Sequence, residues 1–384
     1  MTSHSCRLCD ASLPSRPLLE LVGMPNAAQF LPSEDELHKD KGVDLNIFEC
    51  AQCGLVQTSQ EPVPYYKEVI RASAFSGEMA GFRQKQLKAW VEQHHLTGQG
   101  ILEIGAGKGE YLQLLEQAGM KAYGTEFGGA SVAACKQQGL HVWQVFPDGS
   151  GLQLPEIPFD AFDAFDAFAS FNFMEHWPHP KSTLRDIAGV LKPDALGLVE
   201  VPNFDMILKN NLFTEFISDH IFYFTANTLR LMLETSGFEV LSIQSIWHDY
   251  ILSATVRKRA AVNISAFAEK QKSIQEALHQ FADKHQEGGV AVWGAGHQAL
   301  ATMALLNLGG KIKYVVDSAP FKQGKFTPAT HLPIVTPSAL SQQPVSAVIV
   351  MAAGYSDEVV KIIQLGSHPN LKIAILRETQ LEIL

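Results

Sequence analysis

The chain has 384 residues and a formal net charge of −10, with 46% hydrophobic and 18% charged residues. This length suits two or three domains, and the apolar fraction is sufficient to build a folded core in each. The acidic excess argues against a general nucleic-acid or anionic-membrane partner, because phosphate contacts require clustered Lys and Arg. No apolar run approaches the ~20 residues that cross a bilayer, and no secretory leader is recognisable, so the sequence predicts a cytoplasmic protein.

Four of the five cysteines form two Cys-x-x-Cys pairs near the N-terminus, namely Cys6 with Cys9 and Cys50 with Cys53. Each pair can direct two thiolates at one ion, and four thiolates complete a tetrahedral zinc shell. Such a shell has no open position, so the pattern predicts a structural Zn²⁺ rather than a catalytic one. The alternatives are free core cysteines and a redox pair, but Cys6 does not follow a strand of a βαβ unit.

The apolar periodicity divides the chain into consecutive segments. Two prolines, Pro62 and Pro64, interrupt regular structure after the cysteine pairs. From Tyr65 the spacing is helical as far as His95, and strands and helices then alternate, which is typical of an α/β domain. The predicted segments are a zinc-binding domain over 1–62, an α/β domain over 63–259, a connecting helix over 260–285 and a second α/β domain over 286–384.

A glycine-rich turn follows the first predicted strand of the middle domain. Gly105, Gly107 and Gly109 have the spacing Gly-x-Gly-x-Gly, and Glu103 precedes them. This differs from the Gly-x-Gly-x-x-Gly turn that seats a pyrophosphate, so a ligand without phosphate, with an amino-acid tail and a sulfonium, suits it better. The next strand ends in Glu126, where a carboxylate accepts hydrogen bonds from ribose hydroxyls. Together these residues predict a binding site for S-adenosylmethionine.

Three segments of the middle domain resemble the class I S-adenosylmethionine-dependent methyltransferases, namely 101–109, 168–176 with Pro180, and 191–203. With its four N-terminal cysteines and its C-terminal glycine-turn domain, the whole chain is similar to the sugar C-methyltransferases that act on nucleotide-linked keto-deoxysugars. The resemblance implies an α/β protein. It would have a Rossmann-like methyltransferase domain, a small zinc domain before it and a Rossmann-like substrate-binding domain after it. It also implies a small-molecule acceptor, with a nucleotide-linked sugar as the expected class.

Candidate catalytic residues lie in two segments. His176 follows the fourth strand in a Glu-His pair, where the family places a catalytic histidine; the alternative is a helix-capping acid beside a surface histidine. Asp219 and His220 match the family's acid and histidine pair, although this chain has Asp219 where Glu is usual and Ile217 where Tyr is usual. Tyr66, like its neighbour Tyr65, resembles the family's substrate tyrosine only loosely.

The resemblance implies that an enolate forms next to a ketone and takes up the methyl group. We assign His220 as the base, Asp219 as the residue that orients it, and His176 as the hydrogen-bonding partner of a substrate oxygen. Such chemistry rests on positioning and proton transfer.

The last domain carries a second glycine turn, Gly294-Ala-Gly296, and Asp317 ends the following strand. Alone, this pattern favours a dinucleotide site and hence a NAD-binding oxidoreductase or a bifunctional protein. The resemblance implies instead that this domain binds the nucleotide part of the substrate, with Lys322 and Lys325 near its phosphates. The family commonly has Lys shortly after this turn, where this chain has His-Gln at 297–298. An O- or N-methyltransferase acting on another metabolite is a further alternative.

Overall fold

The computed structural model describes residues 5–29, 31–68, 76–154, 164–366, 368, 370–378 and 380–384. These residues form two compact units, the first ending at Ala260 and the second beginning at Ala261. Within these ranges, none of the helices combines the length and the apolar character needed to span a membrane.

In the first unit the strands are β1 (Leu19–Met24), β2 (Val43–Glu49), β3 (Val56–Thr58), β4 (Gly100–Ile104), β5 (Lys121–Glu126), β6 (His141–Gln144), β7 (Phe165–Phe171), β8 (Leu191–Pro202), β9 (Phe222–Tyr223), β10 (Phe238–Ile246) and β11 (Ile251–Lys258). Its helices are α1 (Gly77–Gln93), α2 (Glu110–Gln117), α3 (Gly129–Gln137), α4 (Pro180–Gly189), α5 (Phe204–Asn210) and α6 (Ala226–Thr235). Helix α1 begins later than the periodicity from Tyr65 predicts, because Ser76 caps it by accepting a hydrogen bond from the Met79 amide.

The larger sheet of the first unit has the strand order β10-β11-β8-β7-β4-β5-β6. β11 is antiparallel to both of its neighbours, and β4 to β8 are parallel. Helices cover both faces, so every residue of β4 is buried. β4 pairs with β5 on one side and with β7 on the other, which is the switch point where ligands bind at the carboxyl edge of such sheets. The Rossmann-like fold predicted for the middle of the chain is confirmed.

A smaller antiparallel sheet has the order β1-β2-β3-β9. Its last strand comes from far along the chain: Tyr223 pairs with Val56, and Phe222 pairs with Gln57. The Thr58 amide extends this pairing by donating to the Ile221 carbonyl at 3.1 Å. The N-terminal segment therefore holds the residues that directly follow His220.

The second unit contains helices α7 (Ser265–Lys284), α8 (His297–Leu305), α9 (Ala339–Gln342) and α10 (Ser356–Leu365). Its strands are β12 (Val290–Trp293), β13 (Tyr314–Val316), β14 (Ile334–Val335), β15 (Ala347–Val350), β16 (Lys372–Leu376) and β17 (Leu381–Ile383). The sheet order is β14-β13-β12-β15-β16-β17, and all pairs are parallel except that of β17.

Strand β12 shows how this second sheet is buried. Val290 and Val292 point into the layer that contains Phe281 of α7, whereas Ala291 and Trp293 point into the layer on the opposite face. The second Rossmann-like α/β domain expected from the sequence is therefore present. Helix α7, interpreted from the sequence as a connecting segment, contributes buried side chains to this core.

Candidate active site

The first glycine turn lies at the carboxyl edge of β4, at the switch point of the large sheet. Gly105, Gly107 and Gly109 have φ angles of 79°, 57° and 90°, in the left-handed region that favours glycine. At Gly109 a Cβ atom would lie 2.2 Å from Cδ1 of Leu140, so this position also lacks room for a side chain. Glu103 is fully buried in β4 just before the turn.

Glu126 fixes the turn from the end of the neighbouring strand. Its Oε2 accepts a hydrogen bond from the Gly107 amide at 3.0 Å, and its Oε1 accepts one from the Gly128 amide at 2.8 Å. A carboxylate offers about four lone-pair sites, so a carboxylate at the end of this strand can accept from several donors at once. The crevice thus combines backbone groups with a buried carboxylate, which fits a nucleoside that carries no phosphate.

Beside this crevice is a cavity of about 440 Å³. Residues that line it include Gln29, Tyr65, Tyr66, Glu175, Asp219 and His220. The predicted catalytic residues, including His176, are brought together here from three separate parts of the first unit. Tyr66 lies in the wall and packs edge-on against Phe146, with ring centroids 5.7 Å apart.

The two histidines of the cavity lie side by side, with ring centroids 4.9 Å apart. His176 Nδ1 is 2.8 Å from the backbone carbonyl oxygen of Asp219. A carbonyl only accepts, so Nδ1 donates and Nε2 of the neutral ring carries the lone pair. Burial lowers the pKa of His176, and burial together with the nearby His176 lowers the pKa of His220 well below its ordinary value. Both rings are therefore neutral near pH 7.

Glu175 is the buried acid between them. Its Oε1 lies 3.9 Å from His176 Nε2 and 4.0 Å from His220 Nε2, and its side chain is only 2% exposed. Burial raises its pKa to about 8. From the sequence, Glu175 is interpreted as a helix-capping acid if the Glu-His pair has no function, and its place between the two histidines is seen only in the folded chain.

The hydrogen bonds of Asp219 differ from its predicted role, which was to orient His220. Its Oδ1 accepts from the Ala28 amide at 2.8 Å, and its Oδ2 accepts from the Tyr65 hydroxyl at 2.7 Å. The carboxylate thus binds the N-terminal segment and Tyr65, while its carbonyl orients His176 rather than His220. Burial and the hydrogen bond to Asp219 raise the pKa of Tyr65. Tyr65, rather than Tyr66, makes this contact.

Comparison with known proteins places these features in a family. Residues 79–243 match a family described as a methyltransferase domain, and residues 256–367 match a C-methyltransferase C-terminal domain. The chain is an S-adenosylmethionine-dependent methyltransferase. The sequence-based resemblance to such enzymes is confirmed.

The relatives of this methyltransferase include the C-methyltransferase NovU of Streptomyces niveus, which is 23% identical over 92% of this chain and 91% of NovU. A probable S-adenosylmethionine-dependent methyltransferase of Mycolicibacterium smegmatis is 27% identical over 44% of this chain and 62% of that protein. Among solved structures, an S-adenosylmethionine-dependent methyltransferase from Mesorhizobium loti is 15% identical and covers 45% of this chain and 99% of its own, with a TM-score of 0.35. The match to NovU extends over both units of the methyltransferase.

The four N-terminal cysteines of the methyltransferase converge as their spacing predicts. The Sγ atoms of Cys6 and Cys53 are 3.6 Å apart, those of Cys9 and Cys50 are 3.5 Å apart, and all four lie within 4.8 Å of one another. Zinc–sulfur bonds of ~2.3 Å in a tetrahedron require sulfur atoms ~3.8 Å apart, so the donor set and its spacing fit Zn²⁺. The remaining cysteine, Cys135, is buried in the core.

The second glycine turn of the methyltransferase is equally tight. Gly294 has φ 120°, and a Cβ there would lie 2.5 Å from the Met351 carbonyl oxygen. Asp317 accepts from the Ala295 and Ala319 amides, each at 2.8 Å, and pairs with Lys322 Nζ at 2.9 Å. Lys322 therefore already has a carboxylate partner, while Lys325 is exposed. The predicted residues Gly296 and Asp317 lie together at this turn.

Proposed function

We propose that this enzyme C-methylates a small keto sugar carried on a nucleotide. The observation that carries the proposal is the cavity of about 440 Å³ beside the donor crevice, which the neutral imidazole of His220 lines. The similarity to NovU over most of both chains supports C-methylation. The assignment of the acceptor as a sugar linked to a nucleotide rests on the family resemblance.

The donor would be held by the glycine turn, by Glu103 and by Glu126. Bound S-adenosylmethionine supplies a methyl group on a positively charged sulfur. Backbone amides at Gly107 and Gly128 keep the Glu126 carboxylate in place for the ribose.

His220 would act as the general base. It removes the proton from the carbon adjacent to the substrate ketone, leaving the electron pair of the C–H bond on the enolate that takes up the methyl group. The abstracted proton remains on His220 and leaves to solvent after turnover. A neutral imidazole with a lowered pKa is present in its basic form at neutral pH.

His176 would receive a hydrogen bond from the acceptor. Because its Nδ1 donates to the Asp219 carbonyl, its Nε2 accepts rather than donates. A substrate hydroxyl suits this position, whereas a ketone oxygen does not. The predicted partnership with a substrate oxygen is thereby narrowed to a hydroxyl oxygen.

We further propose that Cys6, Cys9, Cys50 and Cys53 hold a structural Zn²⁺, and that the second unit binds the nucleotide of the acceptor near Gly294 and Lys325. The four-thiol geometry supports the first assignment. The C-methyltransferase C-terminal domain match supports a role of the second unit in this reaction class.

The proposal is tested by incubating the enzyme with isotopically labelled S-adenosylmethionine and a panel of nucleotide-linked 4-keto sugars. The expected result is label in a new carbon–methyl bond, with exchange of the adjacent C–H proton into solvent. His220→Asn should abolish both while leaving adenosylhomocysteine affinity within a few fold. His179→Asn, at an exposed histidine outside the cavity, serves as the control. Label on oxygen or nitrogen without proton exchange would refute C-methylation.

A further inference from the structure

Three atoms of types that bind metal ions converge in the wall of the cavity. Oε1 of Glu175 lies 3.9 Å from Nε2 of His176 and 4.0 Å from Nε2 of His220. The ligand-type atoms of these three residues all lie within 4.8 Å of one another. Because the other ring nitrogen of His176 donates to the Asp219 carbonyl, its Nε2 presents a lone pair to Glu175.

The carboxyl group of Glu175 adds a second, independent observation. Its side chain is 2% exposed, and Oε2 has no hydrogen-bond partner among the residues that the structure describes. A buried polar atom without a partner costs about 1–3 kcal/mol. A carboxylate oxygen and an imidazole lone pair that face one another in a buried place favour a cation between them, which is either a proton or a metal ion.

We propose that Glu175, His176 and His220 form a binding site for a divalent transition-metal ion of the zinc or cobalt type. Two imidazoles and one carboxylate suit such ions, whereas Mg²⁺ and Ca²⁺ prefer oxygen ligands alone. Metal–ligand bonds of ~2.0–2.2 Å place neighbouring ligand atoms roughly 3.0–3.5 Å apart. The two Glu175 contacts therefore need to shorten by about 1 Å at most, and the separation of the two imidazole nitrogens by about 2 Å at most, which side-chain rotation provides.

The surroundings of the three ligands match those of an open metal site. The Asp219 carbonyl holds His176 in the tautomer that a metal requires, as outer hydrogen-bond partners of metal-bound histidines do. All three residues line the cavity of about 440 Å³, so a water molecule or the acceptor would have room to complete the shell. This contrasts with the four cysteines, which fill a tetrahedral shell by themselves.

The ion and the proposed base exclude each other. A metal ion bound to His220 Nε2 occupies the lone pair that removes the substrate proton, so the metal-bound enzyme is inactive as a C-methyltransferase. This consequence rests on the proposed function, whereas the binding of the ion does not.

The test is equilibrium dialysis of the tag-free full chain against Co²⁺, followed by metal analysis and absorption spectroscopy. Wild type should bind two ions per chain, one with the thiolate-to-cobalt charge-transfer band and one without it. Glu175→Gln or His220→Asn should lower the affinity for the second ion by more than about 100-fold, since loss of an outer hydrogen-bond partner alone lowers metal affinity by 10–100-fold. Cys50→Ser should remove the charge-transfer band and retain the second ion.

Matched controls are Glu68→Gln, a carboxylate in the wall of the same cavity, and His179→Asn, an exposed histidine outside it. Both should bind Co²⁺ as wild type does, and calorimetry with adenosylhomocysteine verifies that each variant is folded. A wild-type chain that binds only the thiolate-bound ion would overturn the proposal, as would a Glu175→Gln variant that keeps the second ion at wild-type affinity. Neither readout requires the acceptor, so failure here is distinguishable from failure of the proposed C-methylation.

Discussion

The acceptor atoms of Asp219 are divided among three partners. The carboxylate binds the Ala28 amide and the Tyr65 hydroxyl, and the carbonyl binds His176. Hydrogen bonds to a charged group contribute about 1.5–3 kcal/mol each, so these contacts hold the backbone at position 219 firmly. The orientation of His176 thus depends on a side chain and a backbone amide that never touch it.

Tyr65→Phe should lower the rate of methyl transfer more than Tyr66→Phe does. The first change removes the hydrogen bond to Asp219 and leaves a buried carboxylate oxygen short of a donor. A hydrogen bond to a charged group contributes about 1.5–3 kcal/mol. If its loss raises the activation barrier by that amount, the rate of methyl transfer falls by roughly ten- to a hundredfold. Single-turnover kinetics measure the rate, and calorimetry should show unchanged adenosylhomocysteine affinity. Equal rates for the two variants would show that Tyr65 does not position the site.

Gly109→Ala should destabilise the protein more than Gly139→Ala. Both glycines have positive φ angles, 90° and 76°, so both substitutions strain the backbone by about 1–2 kcal/mol. Only at Gly109 would the new Cβ collide with Leu140; nothing lies within 4 Å of a Cβ at Gly139. Urea unfolding should therefore show an additional loss of about 1–3 kcal/mol for Gly109→Ala. Equal losses of unfolding free energy in the two variants would mean that Leu140 moves aside without destabilising the protein.

Strand β9 is short, but it connects the N-terminal sheet to the cavity that contains His220. It is two residues long, pairs with β3, and follows His220 directly. The sequence contains no pattern that predicts it, because two residues are too few to show a period. The elements that the sequence does predict have local causes: a strand ending in Glu126, a tight turn at Gly109, and cysteine pairs at fixed spacing.

Removal of the proposed zinc should reduce methyl transfer more than donor binding. Cys50→Ser removes one ligand, and Cys50 lies between β2 and β3, the strand that pairs with β9. Metal analysis should show loss of the thiolate-bound ion, with turnover reduced at least about tenfold and adenosylhomocysteine affinity changed by less than about threefold. Cys135→Ser, at the cysteine outside the cluster, should retain the metal. A metal-free Cys50→Ser variant with full turnover would contradict the coupling.

The turn around Asp317 should make a stability contribution that depends on pH. Burial opposes ionisation, but hydrogen bonds from Ala319 and Ala295 and the charge of Lys322 outweigh it and lower the pKa of Asp317. Because the pKa of Asp317 is lower in the folded protein than its unfolded value of ~3.9, the ionised carboxylate stabilises the fold at pH values above ~3.9. This stabilisation is lost as the pH falls through the folded pKa. The difference in free energy of unfolding between wild type and Asp317→Asn should be constant above about pH 5 and shrink in acid. A difference that grows in acid would contradict this assignment.

At the scale of the whole molecule, the sequence predicted both Rossmann-like sheets, because alternation of strands and helices forces parallel pairing. It did not predict which tyrosine binds Asp219, since that contact joins residues 154 positions apart. Nor did it predict the tautomer of His176, which depends on a backbone carbonyl brought close by folding. Residue types and spacing pointed to the two histidines and Asp219, which the fold brings to one cavity, whereas their hydrogen-bond partners required the three-dimensional structure.

Adenosylhomocysteine should stabilise the first unit in particular. The crevice proposed to bind it is formed by residues of the unit that ends at Ala260. At a free concentration of 100 times its dissociation constant, a ligand that binds only the native form adds about 2.7 kcal/mol. Differential scanning calorimetry should show an upward shift in the transition of this unit. A shift produced by NAD and not by adenosylhomocysteine would favour the oxidoreductase alternative.

The pairing of β3 with β9 also has a consequence for the order in which the enzyme acquires its parts. The amide of Ala28 and the carboxylate of Asp219 are 191 residues apart, so during synthesis the N-terminal segment leaves the ribosome long before its partner exists. The cysteine pairs and the pairing of β2 with β3 involve only N-terminal residues. The other edge of β3 has no strand to pair with until Phe222 and Tyr223 have been synthesised. Contacts that close such long loops form slowly. A nascent chain would therefore be ready to hold the methyl donor before it has a place for the molecule to be methylated.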